Sequence, residues 1–433
     1  MKPLFLFGFT TLLLAAGPRD WPGWRGPNAD GTSQIDELPL SWSKTENIAW
    51  SVEIEGRGHS SPVVFGDRLF LTTDLEGEEI AGASAVKHMA DRQVFVHPQA
   101  TGGNRRHTLK VLCFDARSGK QLWSKVAYDG RVFDDVAKFN TYASPTPVTD
   151  GKDLYVYFES QGLYKYDFDG KLLWKMSLGG IATMGVGTGV SPVLAGDKVI
   201  ILADQDEGEN SFIAAVSKSD GKVAWKTPRP KTSLTWTTPA FVDGVIVVPA
   251  TETVIAYDPA NGRELWRTEG LESNVVHTPV AGNGMVFVSA GYPKKKVMAL
   301  RLKPKEGEDR VAWRYDKGTG YIPSAILSDG LLYVMTDAGL QTCLDANTGQ
   351  PKYEGKRFPT GSKFTSPPVA FGGRLLYTSN DGDTHVVKAG PVHEVLRTNS
   401  LEDSVYASLA LAGDSIYIRS AKKLYCIRQT KKS

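Results

Sequence analysis

Eight side chains of this 433-residue chain stand where they could converge on one ligand: His59, Asn140, Tyr142, Trp236, His277, Tyr321, Lys363 and Tyr406. Each lies just ahead of a Ser/Thr-Pro step, or a relic of one, that opens a repeated β-rich unit. If the units close into a ring, all eight approach its axis. Aromatic and hydrogen-bonding groups around such an opening would form a small-molecule or peptide site, and they would equally line an inert, water-filled channel mouth.

Other chemistry is sparse. The run Asp204-Gln205-Asp206-Glu207-Gly208-Glu209-Asn210 alternates oxygen donors, which makes Asp204, Asp206 and Asn210 the candidate metal ligands. It lacks the distal bidentate glutamate of a calcium loop and reads as a solvated acidic turn. His88, His97 and His107 fall in an excursion, 74–108, without metal-ligand spacing or a companion cysteine, and read as solvated or locally hydrogen-bonded. No Gly-x-Ser-x-Gly elbow occurs, and Gly185-Val186-Gly187-Thr188-Gly189 lacks the lysine and helix of a phosphate loop. No catalytic residue is assigned.

The elements that must position these groups are legible in a returning phrase, a glycine followed shortly by tryptophan. It reads FDARSGKQLW to Trp123, YDFDGKLLW to Trp174, SKSDGKVAW to Trp225 and YDPANGRELW to Trp266, with weaker copies ending at Trp313 and Tyr353. Each phrase is a strand, a tight turn whose glycine takes positive φ, and a second strand. Eight openings, from Ser61-Pro62 to Ser408-Leu409, precede apolar strands rich in valine, isoleucine and tyrosine. Four strands per unit at this period predict an all-β fold, an eight-bladed β-propeller of four-stranded antiparallel blades. The last unit supplies only three strands, while NIAWSVEI at 47–54 is an orphan fourth strand, so the N-terminal strand is expected to close the last blade. Trp50, Trp123, Trp174, Trp225, Trp266 and Trp313 then become cement between blades; full burial of such a ring would contribute a gross ~4–6 kcal/mol. Cys113, Cys343 and Cys426 share one place in the repeat, where other units have Ala215, Ala256 and Ala299. Equivalent places on separate units are too far apart for disulfides, so these cysteines read as buried small hydrophobes.

Tight turns cluster on one face of the expected ring and long segments on the other, which is where a site belongs. The exception is KPKEGED from Lys303, which lengthens the tight-turn face of the fifth unit. Residues 1–16, with one lysine, an apolar stretch and two alanines, read as a signal peptide, 17–41 as a leader segment and 42–433 as the propeller, with 74–108 inserted in its first blade. No cysteine near the cleavage point offers a lipid anchor, so a periplasmic or secreted monomer is expected. The net charge of +2 gives no reason to expect nucleic acid, and no stretch is long enough for a comfortable membrane span.

The glycine-to-tryptophan phrases resemble the repeat of the pyrroloquinoline quinone (PQQ) enzymes over Trp42 to the end, and Asp20-Trp21-Pro22-Gly23-Trp24-Arg25-Gly26-Pro27 resembles the leader of secreted PQQ-binding-like β-propeller repeat proteins. The resemblance implies eight blades but no single activity. Quinoprotein alcohol dehydrogenases of this type hold quinone and calcium, with an adjacent cysteine pair and an aspartate base that have no matching motif here. Assembly factors of the BamB type use the same repeat without cofactor to dock partner proteins, although as lipoproteins. The expected function is therefore an exported, non-catalytic binding or scaffold propeller with no cofactor and an unidentified protein or small-molecule ligand. The alternative is a PQQ- and calcium-dependent dehydrogenase with an atypical site.

Overall fold

A computed structural model describes residues 17, 19–83, 86–90, 93–206, 208–233 and 235–429. The expected signal peptide lies outside them. Eight four-stranded antiparallel sheets are arranged in chain order. Blades 1 to 7 span 63–131, 148–176, 193–228, 240–269, 280–315, 326–357 and 369–400. Blade 8 combines three strands within 410–428 with Ile48–Glu53, which pairs antiparallel to Lys423–Arg428. The N-terminal strand thus closes the ring, as its orphan status in the sequence requires.

One packing device recurs between blades. In every blade a bulge separates the third and fourth strands, and in six of them an aromatic residue just beyond it faces a small one, among them Trp50 opposite Cys426, Trp123 opposite Cys113, Trp225 opposite Ala215 and Tyr353 opposite Cys343. The cysteines are small because the indole or phenol across the ladder fills the remaining width. Each indole then lies on the glycine turn of the next blade. A Cβ at Gly119, Gly170, Gly221, Gly262 or Gly349 would stand 2.4–2.9 Å from a ring atom of Trp50, Trp123, Trp174, Trp225 or Trp313. The glycine therefore supplies positive φ and clearance together. The same five indole N–H groups donate to turn carbonyls of the neighbouring blade at 2.9–3.2 Å. Trp266 differs because the lengthened turn of blade 5 moves its glycine away, and the Arg310 guanidinium takes its place 4.2 Å above the ring. All six rings are half-buried rather than enclosed, so each contributes less than full burial would give.

The Ser/Thr openings form a second belt around the axis. The Ser61 N–H donates to Thr146 Oγ1, Thr146 N–H to Ser191 Oγ, Ser191 N–H to Thr238 Oγ1 and Thr278 N–H to Ser324 Oγ, all at 3.0–3.1 Å. Proline follows most of these residues and lacks a donor of its own, so the opening residue's N–H is the last one free to link blades.

The leader crosses the tight-turn face. Trp21 exchanges two backbone hydrogen bonds with Val64, Thr149 N–H donates to the Pro22 carbonyl, the Trp24 indole N–H donates to Thr278 Oγ1, and Ser33 N–H donates to the Ala370 carbonyl. Trp21 and Arg25 are buried. The leader touches blades 1, 2, 5, 6 and 7 and stoppers this end of the ring.

Candidate functional site

The loop-rich face is built by second-to-third turns and by connections between blades. Three of these converge over blades 1–3. The excursion begins as a continuation of the sheet, with Asp74 opposite Leu109 and Glu79 opposite Arg105, so blade 1 rises above its neighbours. It then turns toward blades 2 and 3, where Ala100–Thr101 pairs with Val136–Ala137. Its His88 is buried between two carboxylates, Nδ1 2.6 Å from Asp206 and Nε2 2.9 Å from Asp134. Burial alone would lower the pKa of His88, but the hydrogen bonds and charges of Asp134 and Asp206 outweigh it and raise the pKa to about 9. At neutral pH the ring is an imidazolium clamping the excursion to two other loops. His107 repeats the pattern with Asp74 at 2.9 Å and the Gly102 carbonyl at 3.0 Å; burial opposes its protonation and the Asp74 contact wins. His97 is half-buried, its Nδ1 accepting the Gln99 N–H and its ring edge-on to Phe95.

The segment 183–189 is the centre of this region. Asp134 accepts Thr183 N–H and Oγ1–H, Glu159 accepts Thr188 N–H, Asn140 Nδ2 donates to the Val186 and Thr188 carbonyls, and the Trp236 indole donates to the Gly187 carbonyl. Met184, Gly185 and Gly187 all adopt left-handed φ, so the glycines serve a compact loop rather than a phosphate cradle. Glu159 has φ 52° and is buried, and desolvation, reinforced by the charge of Asp134 and opposed by the Thr188 hydrogen bond, raises its carboxyl to about 8. Such shifts mark functional sites or structural networks alike.

The eight channel-mouth residues separate into groups. His59 and Tyr406 meet with ring centroids 4.9 Å apart, and burial, with Arg419 and Arg57 nearby, pushes His59 down to about 3. Asn140 and Trp236 hold the 183–189 loop. Tyr142 is buried beneath the excursion, its hydroxyl donating to the Asp134 carbonyl and its ring edge-on to His107. Tyr321 packs edge-on to Tyr292. Lys363 is exposed, and His277 is buried within the ring.

The acidic run does not converge on a cation. Asp204 is engaged by Arg229 at 2.7 and 2.9 Å with both side chains fully buried, and by Thr232 and Thr235. Asp206 belongs to His88, and Asn210 is exposed with its carbonyl accepting from Gln205. Tertiary partners far along the chain divide donors that are neighbours in sequence. Nor do the residues fit a quinone with calcium. The three cysteines are buried in blades 1, 6 and 8. On the loop-rich side Asp337 accepts the backbone N–H groups of Tyr321 and Ile322, and Asp403 accepts from Ser420 and Tyr425. Among the described residues no three His, Cys, Asp or Glu side chains gather in a metal-binding group.

A family model described as outer membrane protein assembly factor BamB matches residues 107–225 and 209–433. The chain belongs to this family. No curated protein matches the BamB-family chain in sequence. Among solved structures, BamB from Moraxella catarrhalis is similar with TM-score 0.57 and 12% identity, over 88% of this chain and 99% of that one. A europium-containing methanol dehydrogenase gives 0.63 and 15% over 94% and 90%. The quinohemoprotein alcohol dehydrogenase from Comamonas testosteroni gives 0.64 and 12% over 97% and 82%. At these identities the likeness is one of fold, and the BamB-family propeller shares it with an assembly factor and with dehydrogenases alike.

Proposed function

We propose that this protein is an exported, non-catalytic binding or scaffold propeller that docks a protein or small ligand on its loop-rich face. One observation carries the reading. The buried ionisable groups of that face over blades 1–3 are largely paired with one another, His88 with Asp134 and Asp206, His107 with Asp74 and Arg229 with Asp204, while Val94, Val96, Phe133 and Phe139 there, and Tyr292 over blade 5, are each 43–63% exposed. A rigid frame with exposed rings and a water-excluding rim is what a docking surface needs, whereas a reaction centre needs uncommitted acid–base groups. The family description supports partner docking.

The test is reconstitution. Purified protein is incubated with PQQ and calcium and assayed for bound quinone absorbance and dye-linked alcohol oxidation. Neither signal is expected, and turnover would replace this reading with the dehydrogenase. In parallel, Phe133→Ser with Phe139→Ser is expected to abolish capture of whichever extract component the unsubstituted protein retains, at unchanged thermal stability.

A further inference from the structure

Where the leader stoppers the ring, Arg25 is buried at 1% exposure, and only its Nη2 has protein partners: the Asp30 carbonyl at 2.8 Å and the Ala325 carbonyl at 2.6 Å. Nε and Nη1 have none among the described residues. The nearest carboxylate, Asp30, spends Oδ1 on the N–H and hydroxyl of Thr32. His277, also 1% exposed, holds Ser289 Oγ with Nδ1 at 2.6 Å and leaves Nε2 unpartnered. Its imidazole is pushed down to about 4 by burial and, more weakly, by the Arg25 charge, with the Asp337 carboxylate and backbone hydrogen bonds to Ser289 and Gly320 opposing the shift. Arg25 is thus the group that keeps two buried donor nitrogens without an acceptor among the described residues. Two other buried guanidiniums are engaged differently: Arg229 has a carboxylate against it and Tyr257 on its remaining side, and Arg419, without a carboxylate, spends Nη1 on the Ser60 and Thr72 oxygens. Burying a cation without an anion costs several kcal/mol, so its persistence needs a reason.

We propose that Arg25 binds a small oxyanion, a carboxylate or phosphate group, inside the ring at the inner surface of the leader. Its three uncommitted guanidinium N–H groups offer charge-assisted hydrogen bonds to such an anion. This site is independent of what docks on the loop-rich face and stands if the docking reading fails.

The experiment uses the full chain in buffer at constant ionic strength set by chloride, which is not an oxyanion. Phosphate and acetate are titrated separately while the thermal midpoint is followed. A saturable rise is expected for at least one of them, with the arm that responds at lower concentration naming the source. Arg25→Met is expected to remove the rise entirely, and Arg25→Lys to weaken apparent affinity at least tenfold. Equal rises in the unsubstituted protein and Arg25→Met overturn the proposal. Should Arg25→Met not fold, crystals of the unsubstituted chain grown with selenate decide. An anomalous peak within hydrogen-bond distance of Nε or Nη1 is expected, and water alone at both atoms overturns it.

Discussion

Around the tight-turn face, five blade junctions solve one packing problem the same way, with an indole laid on a glycine and its N–H on a carbonyl. Over blades 1–3 of the loop-rich face no two junctions agree: His88 spans two aspartates, Arg229 grips Asp204, and Glu159 holds a loop from a left-handed backbone position. The first arrangement depends on shape and repeats with the sequence. The second depends on charge buried in single copies, where each loss leaves an uncompensated partner. The difference teaches that the ring is redundant in its walls and irreplaceable in its upper loops.

The comparison can be broken most severely at Asp204. Asp204→Ala strands the Arg229 guanidinium and should cost about 3–5 kcal/mol in urea unfolding. A loss below 1 kcal/mol would mean that the charged junctions are no more critical than the apolar ones. Next in size is Gly262→Ala, whose Cβ would meet the Trp225 ring at 2.4 Å with φ at +73°. Left-handed strain and overpacking together predict about 2–4 kcal/mol. Gly66→Ala sharpens the point, because its φ is also positive, at +58°, but nothing lies within 4 Å of the added carbon. There only the backbone term, about 1–2 kcal/mol, should appear.

Smaller and more diagnostic is the pH response. His88 has a folded pKa raised to about 9, so its contribution is full below about 6.5 and is lost as pH rises through 9. Glu159, raised to about 8, also binds more protons folded than unfolded, and so it too makes stability fall as pH rises, from about 4.3 toward 8. His59 and His277, lowered to about 3 and 4, act in the opposite sense and only below about 6.5. Urea midpoints should therefore decline between pH 7 and 9.5. His88→Gln should flatten the upper part of that decline and Glu159→Gln the lower. A decline unchanged in both variants would remove the buried network as its source. At the small end, Arg267→Ala breaks an exposed pair with Glu264 and should move stability by less than about 0.5 kcal/mol.

The walls were readable in the chain because their determinants are local. Glycine, three residues and a tryptophan fix turn, register and docking at once, and the orphan strand at Trp50 announced the closure. The alanine and cysteine sites followed from the same repeat. Lys165 departs from it, filling that place opposite Trp174 by pairing with Asp153 at 2.8 Å. The loop-rich face was legible only as a location. Asp204 and Asp206 looked like neighbouring ligands, yet their partners lie 25 residues downstream and 118 upstream, and no spacing rule links such positions. Arg25 was visible inside a Trp-Pro leader, but its burial depends on Ala325, 300 residues away. One local sign did exist: the glycine-rich 183–189 segment, dismissed as a phosphate loop, is the hub that Asp134, Glu159, Asn140 and Trp236 hold.

The strand 48–53 and the leader before it have a consequence for the order of assembly. Made first, the strand meets its partner last, at 423–428, and the leader, seated early on Val64 and Thr149, waits for Ala370 to hold Ser33. Blades 1 to 5 can therefore fold in sequence while the chain emerges, but the stopper cannot set fully until Ala370 arrives, nor the seam until the final strand does. A truncated product would carry an open edge along 48–53, which gives quality-control proteases a ready means of telling unfinished molecules from finished ones.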